Sequence, residues 1–101
     1  MQATPRLEWR AQARADLLEI VAYIADDDPN AAQALKDEIE GKAGKLPDHP
    51  RLYKPSLRVK GMRELVVRGN YIVFYRETSE LVEIVNVVHA RRKWPPKRSR
   101  V

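Results

Sequence analysis

Cysteine is absent from the 101-residue chain. Disulfides, thiolate nucleophiles and Cys-ligated zinc are thereby excluded, and a reducing cytoplasm is the expected setting. Histidine is scarce. His49 and His89 are the two, too few for most metal sites, so no metal and no other cofactor is expected. The four glycines do not form a phosphate-cradling loop, and neither Gly-x-Ser-x-Gly nor His-Glu-x-x-His occurs. No apolar run approaches the ~20 residues needed to span a bilayer. The segment Met1 to Arg6 has no apolar centre of the signal-peptide kind. Ser56, Ser79 and Ser99 fall in loop-like segments without a His and a carboxylate arranged around them. Paired carboxylates occur only on solvent-facing helical stretches and at Asp26–Asp28, which argues against glycosidase or aspartyl chemistry.

Charge is what the chain has in quantity. Apolar residues make up 44% and charged residues 33%, a globular composition sized for one domain over 1–101 with a basic tail at 91–101. A chain this long buries roughly two-thirds of its unfolded surface, enough for one small core without staples. Residues 1–50 hold 6 Lys/Arg against 10 Asp/Glu, net −4, and residues 51–101 hold 13 against 4, net +9. Such polarity points to a positive face that attracts an anionic partner.

The hydrophobic pattern divides the chain into six elements. Arg6–Trp9 reads as a short strand. From Ala11 to Asp26 the period becomes helical, with Leu17, Ile20, Val21 and Ile24 on one face and Arg14, Asp16 and Glu19 on others. Asp28 is a good N-cap and Pro29 suits the first helical position, so a second helix begins there. Its stripe is Ala32, Leu35, Ile39, Ala43 and Leu46, and Pro47 closes it. Met62–Arg68 reads as a strand, Gly69-Asn70 as a two-residue turn, and Tyr71–Tyr75 as a β-branched and aromatic strand. After the turn at Glu77–Glu80, Leu81–Val88 is nearly continuously apolar, which predicts a central strand buried on both faces. The expected fold is α+β in the order β-α-α-β-β-β, a helical hairpin on a mostly antiparallel four-stranded twisted sheet. The loop from Pro47 to Lys60, rich in Pro and basic residues, is expected to be ordered only in part.

The residues able to carry chemistry are cationic. Arg63 and Arg68 belong to the second strand, Arg76 to the third, and Lys54, Arg58 and Lys60 to the preceding loop. The last strand runs out through His89, Arg91, Arg92, Lys93 and Trp94, with period two placing Val85, Val87, His89 and Arg91 on one face. Arginines with one histidine and nearby aromatics (Tyr71, Tyr75, Trp94) suit a phosphate chain with stacked bases, provided they converge on one surface. Such a site could cleave RNA without a metal: the 2′-OH attacks its own phosphate, Arg stabilises the pentacoordinate oxygens, and His89 moves protons. The bland reading puts Tyr71, Phe74 and Tyr75 in the core and pairs Arg63 with Glu64 or Glu83.

The succession Ala15-Asp16-Leu17-Leu-Glu-Ile20, Tyr23-Ile24-Ala25, Asp28-Pro29-Asn-Ala-Ala32, Gly61-Met-Arg63-Glu-Leu65, Tyr71-Ile-Val-Phe-Tyr75 and Val87-Val-His89-Ala-Arg91 resembles the RelE/ParE superfamily of bacterial type II toxins over nearly the whole length. The resemblance implies a growth-arresting toxin silenced by a cognate antitoxin. It further implies one of two targets: mRNA in the ribosomal A site, cut without a metal, or DNA gyrase, inhibited without nuclease activity. For the first, it assigns Arg91 to the scissile phosphate, Arg68 to RNA contact and His89 to acid or base work. Lys54, Lys60, Arg63, Arg76, Arg92, Lys93 and Trp94 would bind RNA or the target. The Asp-Pro start of the second helix is closer to ParE-like chains. A basic nucleic-acid-binding module without toxicity is the remaining alternative.

Overall fold

The computed structural model describes residues 4–91. The order is β1 (Arg6–Trp9), α1 (Ala11–Ala25), α2 (Pro29–Gly44), β2 (Arg63–Val67), β3 (Tyr71–Glu77) and β4 (Leu81–His89), as the pattern predicts. Asp28 caps α2 by accepting the Ala31 N–H at 3.1 Å, and Pro29 occupies the first turn. Among the described residues no helix is long and apolar enough to cross a membrane.

The sheet order is β1-β4-β3-β2, with β1 parallel to β4 and the other pairs antiparallel. The central position of β4 explains its apolar run. Both helices lie on one sheet face, where Ala13, Leu17, Leu35, Ile39, Ala43 and Leu46 meet Leu65, Val67, Val73, Tyr75, Val82, Ile84 and Val87. A smaller cluster on the opposite face joins Ile72, Phe74 and Val88 to Val59, Met62 and Ala90. These two apolar surfaces are the main source of stability, at roughly 25 cal/mol per Å² of area removed from water.

Two details differ from the sequence expectation. Pairing steps from Phe74↔Asn86 to Tyr75↔Ile84, so Val85 is the extra residue of a β-bulge and leaves the alternation that Val87 and His89 follow. The β2–β3 turn falls one residue earlier than Gly69-Asn70. The Asn70 N–H bonds to the Val67 carbonyl at 3.1 Å, and the central residues are Arg68 (φ 57°) and Gly69 (φ 70°). Both are left-handed, the signature of a type I′ hairpin turn whose twist matches the flanking strands. Glycine adopts that backbone freely, whereas Arg68 does so at a cost of about 1 kcal/mol.

The loop after α2 is fastened to β2 and β3. The Tyr75 hydroxyl donates to the Pro50 carbonyl at 3.0 Å, and Arg63 Nη1 donates to the Tyr53 carbonyl at 2.7 Å. The Ser56 hydroxyl donates to Glu64 and accepts the Arg58 and Val59 N–H groups. Pro55 bridges to Arg63. Partial order was expected from composition, but these bonds give the loop a fixed course. Burial raises the Tyr75 hydroxyl pKa above its usual 10.0, because phenolate would be desolvated. This contribution to stability is complete below pH 10 and is lost as pH rises through the folded-state value. Tyr75→Phe is expected to lower stability by about 1 kcal/mol at neutral pH, which thermal denaturation reads as a Tm fall of roughly 4–8 °C, and to remove that alkaline dependence.

Candidate functional site

The hairpin geometry brings three of the singled-out residues to one end of the sheet. Tyr71 is paired with Val67 on β2 and with His89 on β4. Arg68 immediately follows Val67 and Arg91 lies two residues past His89. The Ala90 N–H bonds to the Asn70 carbonyl at 2.6 Å, tying the chain after β4 to the β2–β3 turn.

His89 is half-buried beneath α1. Its ring meets Tyr71 edge-on, with centroids 5.2 Å apart and planes at 76°. Nδ1 accepts the Arg91 N–H at 3.1 Å, which assigns the proton of the neutral ring to Nε2. With Glu19, Ile20, Tyr23, Ile24 and Tyr71 it lines a largely apolar cleft of 480 Å³. Arg91 is exposed and has no carboxylate partner among the described residues. Arg68 is engaged: Nε donates to Glu38 Oε1 at 2.6 Å, and Lys42 approaches the other oxygen at 3.3 Å. The Arg68 hydrogen bond, with help from Lys42, holds the Glu38 carboxyl below its ordinary value. Arg68→Ala is therefore expected to raise the Glu38 titration midpoint toward 4.5, which NMR titration of its side-chain carboxyl carbon checks.

The remaining cations do not join these three, and the expected convergence of the arginines is corrected. Arg63 pairs with Tyr75, four residues along β3 from Tyr71, a separation of roughly 13 Å. Its guanidinium serves the loop and Glu77, not Glu64 or Glu83. Arg76 faces away from the helices and bonds Glu83 at 2.8 Å. Arg10 approaches the same carboxylate, Arg51 approaches Glu77, and Arg58 lies 3.9 Å from Glu64. Lys54 and Lys60 are exposed in the loop beside β2. Tyr75 is fully buried and offers no face for a base. Arg92, Lys93 and Trp94 lie outside the described residues. Among the described residues the cations are thus spread over both ends and both faces, and most of them are paired. Each pairing reduces the field offered to an anion.

Sequence reasoning missed Asp16. It was assigned to an outer helix face, yet its Oδ2 accepts both the Asn86 side-chain amide and the Val87 N–H at 3.0 Å, while Oδ1 accepts from Gln12 at 2.9 Å. Asp16 thereby covers the β4 edge beyond the end of β1. The available signal was Asn86, a polar residue between the apolar pairs Ile84-Val85 and Val87-Val88. Among the described residues no cluster of three or more His, Asp or Glu side chains is placed to hold a metal.

Comparison with known proteins agrees with this architecture. The family described as ParE toxin of type II toxin-antitoxin system, parDE, matches residues 7–94. The protein Y4kP of Sinorhizobium fredii, named as a candidate toxin, is 40% identical over 91 residues, covering 89% of this chain and 93% of that protein. Toxin RelE2 of Caulobacter vibrioides is 36% identical over 84 residues, covering 83% and 93%. Among solved structures, the chromosomal ParDE system of P. aeruginosa superposes with a TM-score of 0.74 at 22% identity, covering 85% of this chain and 96% of that one. The RelBE2 toxin-antitoxin complex of Mycobacterium tuberculosis gives 0.58 at 26% identity, covering 91% and 98%. The extent of the family match and the identity to these relatives make this chain a member of the ParE toxin family of type II toxin–antitoxin systems.

Proposed function

We propose that this toxin arrests growth by binding a protein target, DNA gyrase, in the ParE-like manner, and that a cognate antitoxin silences it in the cytoplasm. The observation that supports this reading is the commitment of the arginines. Arg63, Arg68 and Arg76 are engaged by Glu77, Glu38 and Glu83, so that, among the described residues, Arg91 is the one singled-out arginine without a carboxylate partner and no cluster of open arginines is formed. A guanidinium already satisfied by a carboxylate must give up that partner before it can stabilise a pentacoordinate phosphate.

A second reading rests on a different observation, the meeting of Arg68, His89 and Arg91 at one sheet end. There His89 would act as acid or base, Arg91 would hold the scissile phosphate and Arg68 would contact RNA of a ribosome-bound message. The 2′-OH would lose its proton as it attacks, and the 5′-oxygen would gain one as it leaves.

Inducible expression separates the two, with primer-extension mapping of translated mRNAs run beside a gyrase supercoiling assay. Gyrase inhibition is expected, with filamentation, accumulating DNA breaks and intact messages. His89→Ala and Arg91→Ala should each retain arrest. Prompt cleavage of messages at ribosome-positioned sites, relieved by either substitution, would establish the second reading instead. Unimpeded growth on expression without a partner would exclude both.

A further inference from the structure

On the side of β1 the sheet ends in an open strand. The Arg6 N–H bonds to the Glu80 carbonyl and the Arg10 N–H to the Ile84 carbonyl, each at 2.9 Å. Backbone direction alternates along a strand, so the N–H and C=O groups of Leu7 and Trp9 point away from β4. Among the described residues nothing bonds to them. Their side chains pack against the helix-side core. Arg6 and Glu8 therefore lie on the opposite face, with side chains 75% and 54% exposed. Glu8 is unfavourably placed: it stands directly opposite Glu83 on β4, and like charges in that position repel. Arg6 of its own strand approaches it only to 3.5 Å.

We infer that the outer edge of β1 pairs antiparallel with the β1 edge of a second copy of this chain, joining two four-stranded sheets about a two-fold axis at Leu7. Charges on an edge ordinarily repel an incoming strand, but the alternation of Arg6 and Glu8 matches its own image. With the axis at Leu7, Arg6 of each copy faces Glu8 of the other, and the added cation offsets the repulsion between Glu8 and Glu83. Leu7 exchanges N–H···O bonds with Leu7 of the second copy, and each Trp9 N–H reaches the opposing Pro5 carbonyl. An axis at Glu8 would set Glu8 against itself and Arg6 against Arg10. An axis at Trp9 would set Leu7 against Ala11, where α1 has begun. One register therefore satisfies both charge and backbone. Four-residue strands make a small contact, so the dimer is weak and reversible. Such pairing is independent of the toxin's target.

Sedimentation equilibrium of the full chain, from micromolar to millimolar concentration, should show monomer and dimer in exchange. Hydrogen exchange at Leu7 and Trp9 should slow at least threefold toward the high end of that range, while Arg6, already bonded to β4, stays unchanged. Arg6→Glu and Glu8→Arg should each weaken self-association at least tenfold, with far-UV spectra intact. An equimolar mixture of these two variants should associate at least as tightly as the parent chain, because each then offers the charge that the other needs. Leu18→Ser, on the exposed side of α1, should leave association unchanged. Self-association that survives both single variants, a mixture that stays monomeric, or loss of the dimer in Leu18→Ser would overturn the inference. A parent chain still monomeric at millimolar concentration would overturn it too, and slowing at Leu7 and Trp9 on addition of antitoxin would then give the edge to a different protein.

Discussion

Asp16→Ala is expected to lower the unfolding free energy by about 3 kcal/mol and the Tm by roughly 12–24 °C. Three donors converge on this carboxylate: the Gln12 and Asn86 side-chain amides and the Val87 N–H. Gln12 is exposed and turns to water when the acceptor is removed. Asn86 and Val87 lie where α1 crosses the edge of β4, and water replaces their acceptor poorly there. Hydrogen bonds to a charged acceptor are each worth about 1.5–3 kcal/mol, and an orphaned donor adds its desolvation penalty. Asp16→Asn keeps one acceptor oxygen and should lose about half as much. Thermal denaturation of the three proteins checks the ordering, and equal stability of all three would show that the edge is satisfied without Asp16.

Ile39→Ala should cost still more, about 4 kcal/mol. Ile39 is fully buried on α2, in the cluster that joins both helices to the sheet. Truncation removes three heavy side-chain atoms and leaves a cavity between α2 and the strands, so lost transfer energy and lost packing add. Alanine's better helix propensity returns only about 0.4 kcal/mol. Against a total of about 5–15 kcal/mol for a natural domain, the variant approaches the folding threshold. Glu40→Ala, one residue on, is the internal control. It loses a surface ion pair with Lys36, worth about 0.5 kcal/mol or less. Urea midpoints with unchanged slopes would assign the difference to stability and not to a more compact denatured state.

Local signals carried most of the fold. The stripe at Leu17, Ile20, Val21 and Ile24, the Asp28-Pro29 start of α2 and the apolar run of β4 each report on neighbours a few residues away, and each was legible. The arrangement of the cations was not. Arg68 is answered by Glu38, 30 residues earlier, and Arg76 by Glu83 across a strand pair. A count of charges shows none of these partnerships, so thirteen cations in one half of the chain looked like a free surface. Asp16 was misread for the same reason, since Val87 lies 71 residues away. The bulge at Val85 and the left-handed Arg68 escaped notice because valine and arginine carry no warning of either conformation. Spacing alone put His89 and Arg91 on one strand face, whereas β4 ends at His89 and what joins the two is the Arg91 N–H donated to the His89 ring.

The parallel pairing of β1 with β4 also governs when the molecule can form. Arg6 meets Leu81, so the first strand finds its partner only 75 positions later. The helical hairpin rests on local contacts and assembles early on a growing polypeptide. The middle strand of the sheet is the last to be synthesised, and everything that docks on it must wait. A nascent chain therefore emerges with its apolar helix faces uncovered, open to capture by chaperones or by a partner until β4 has been made.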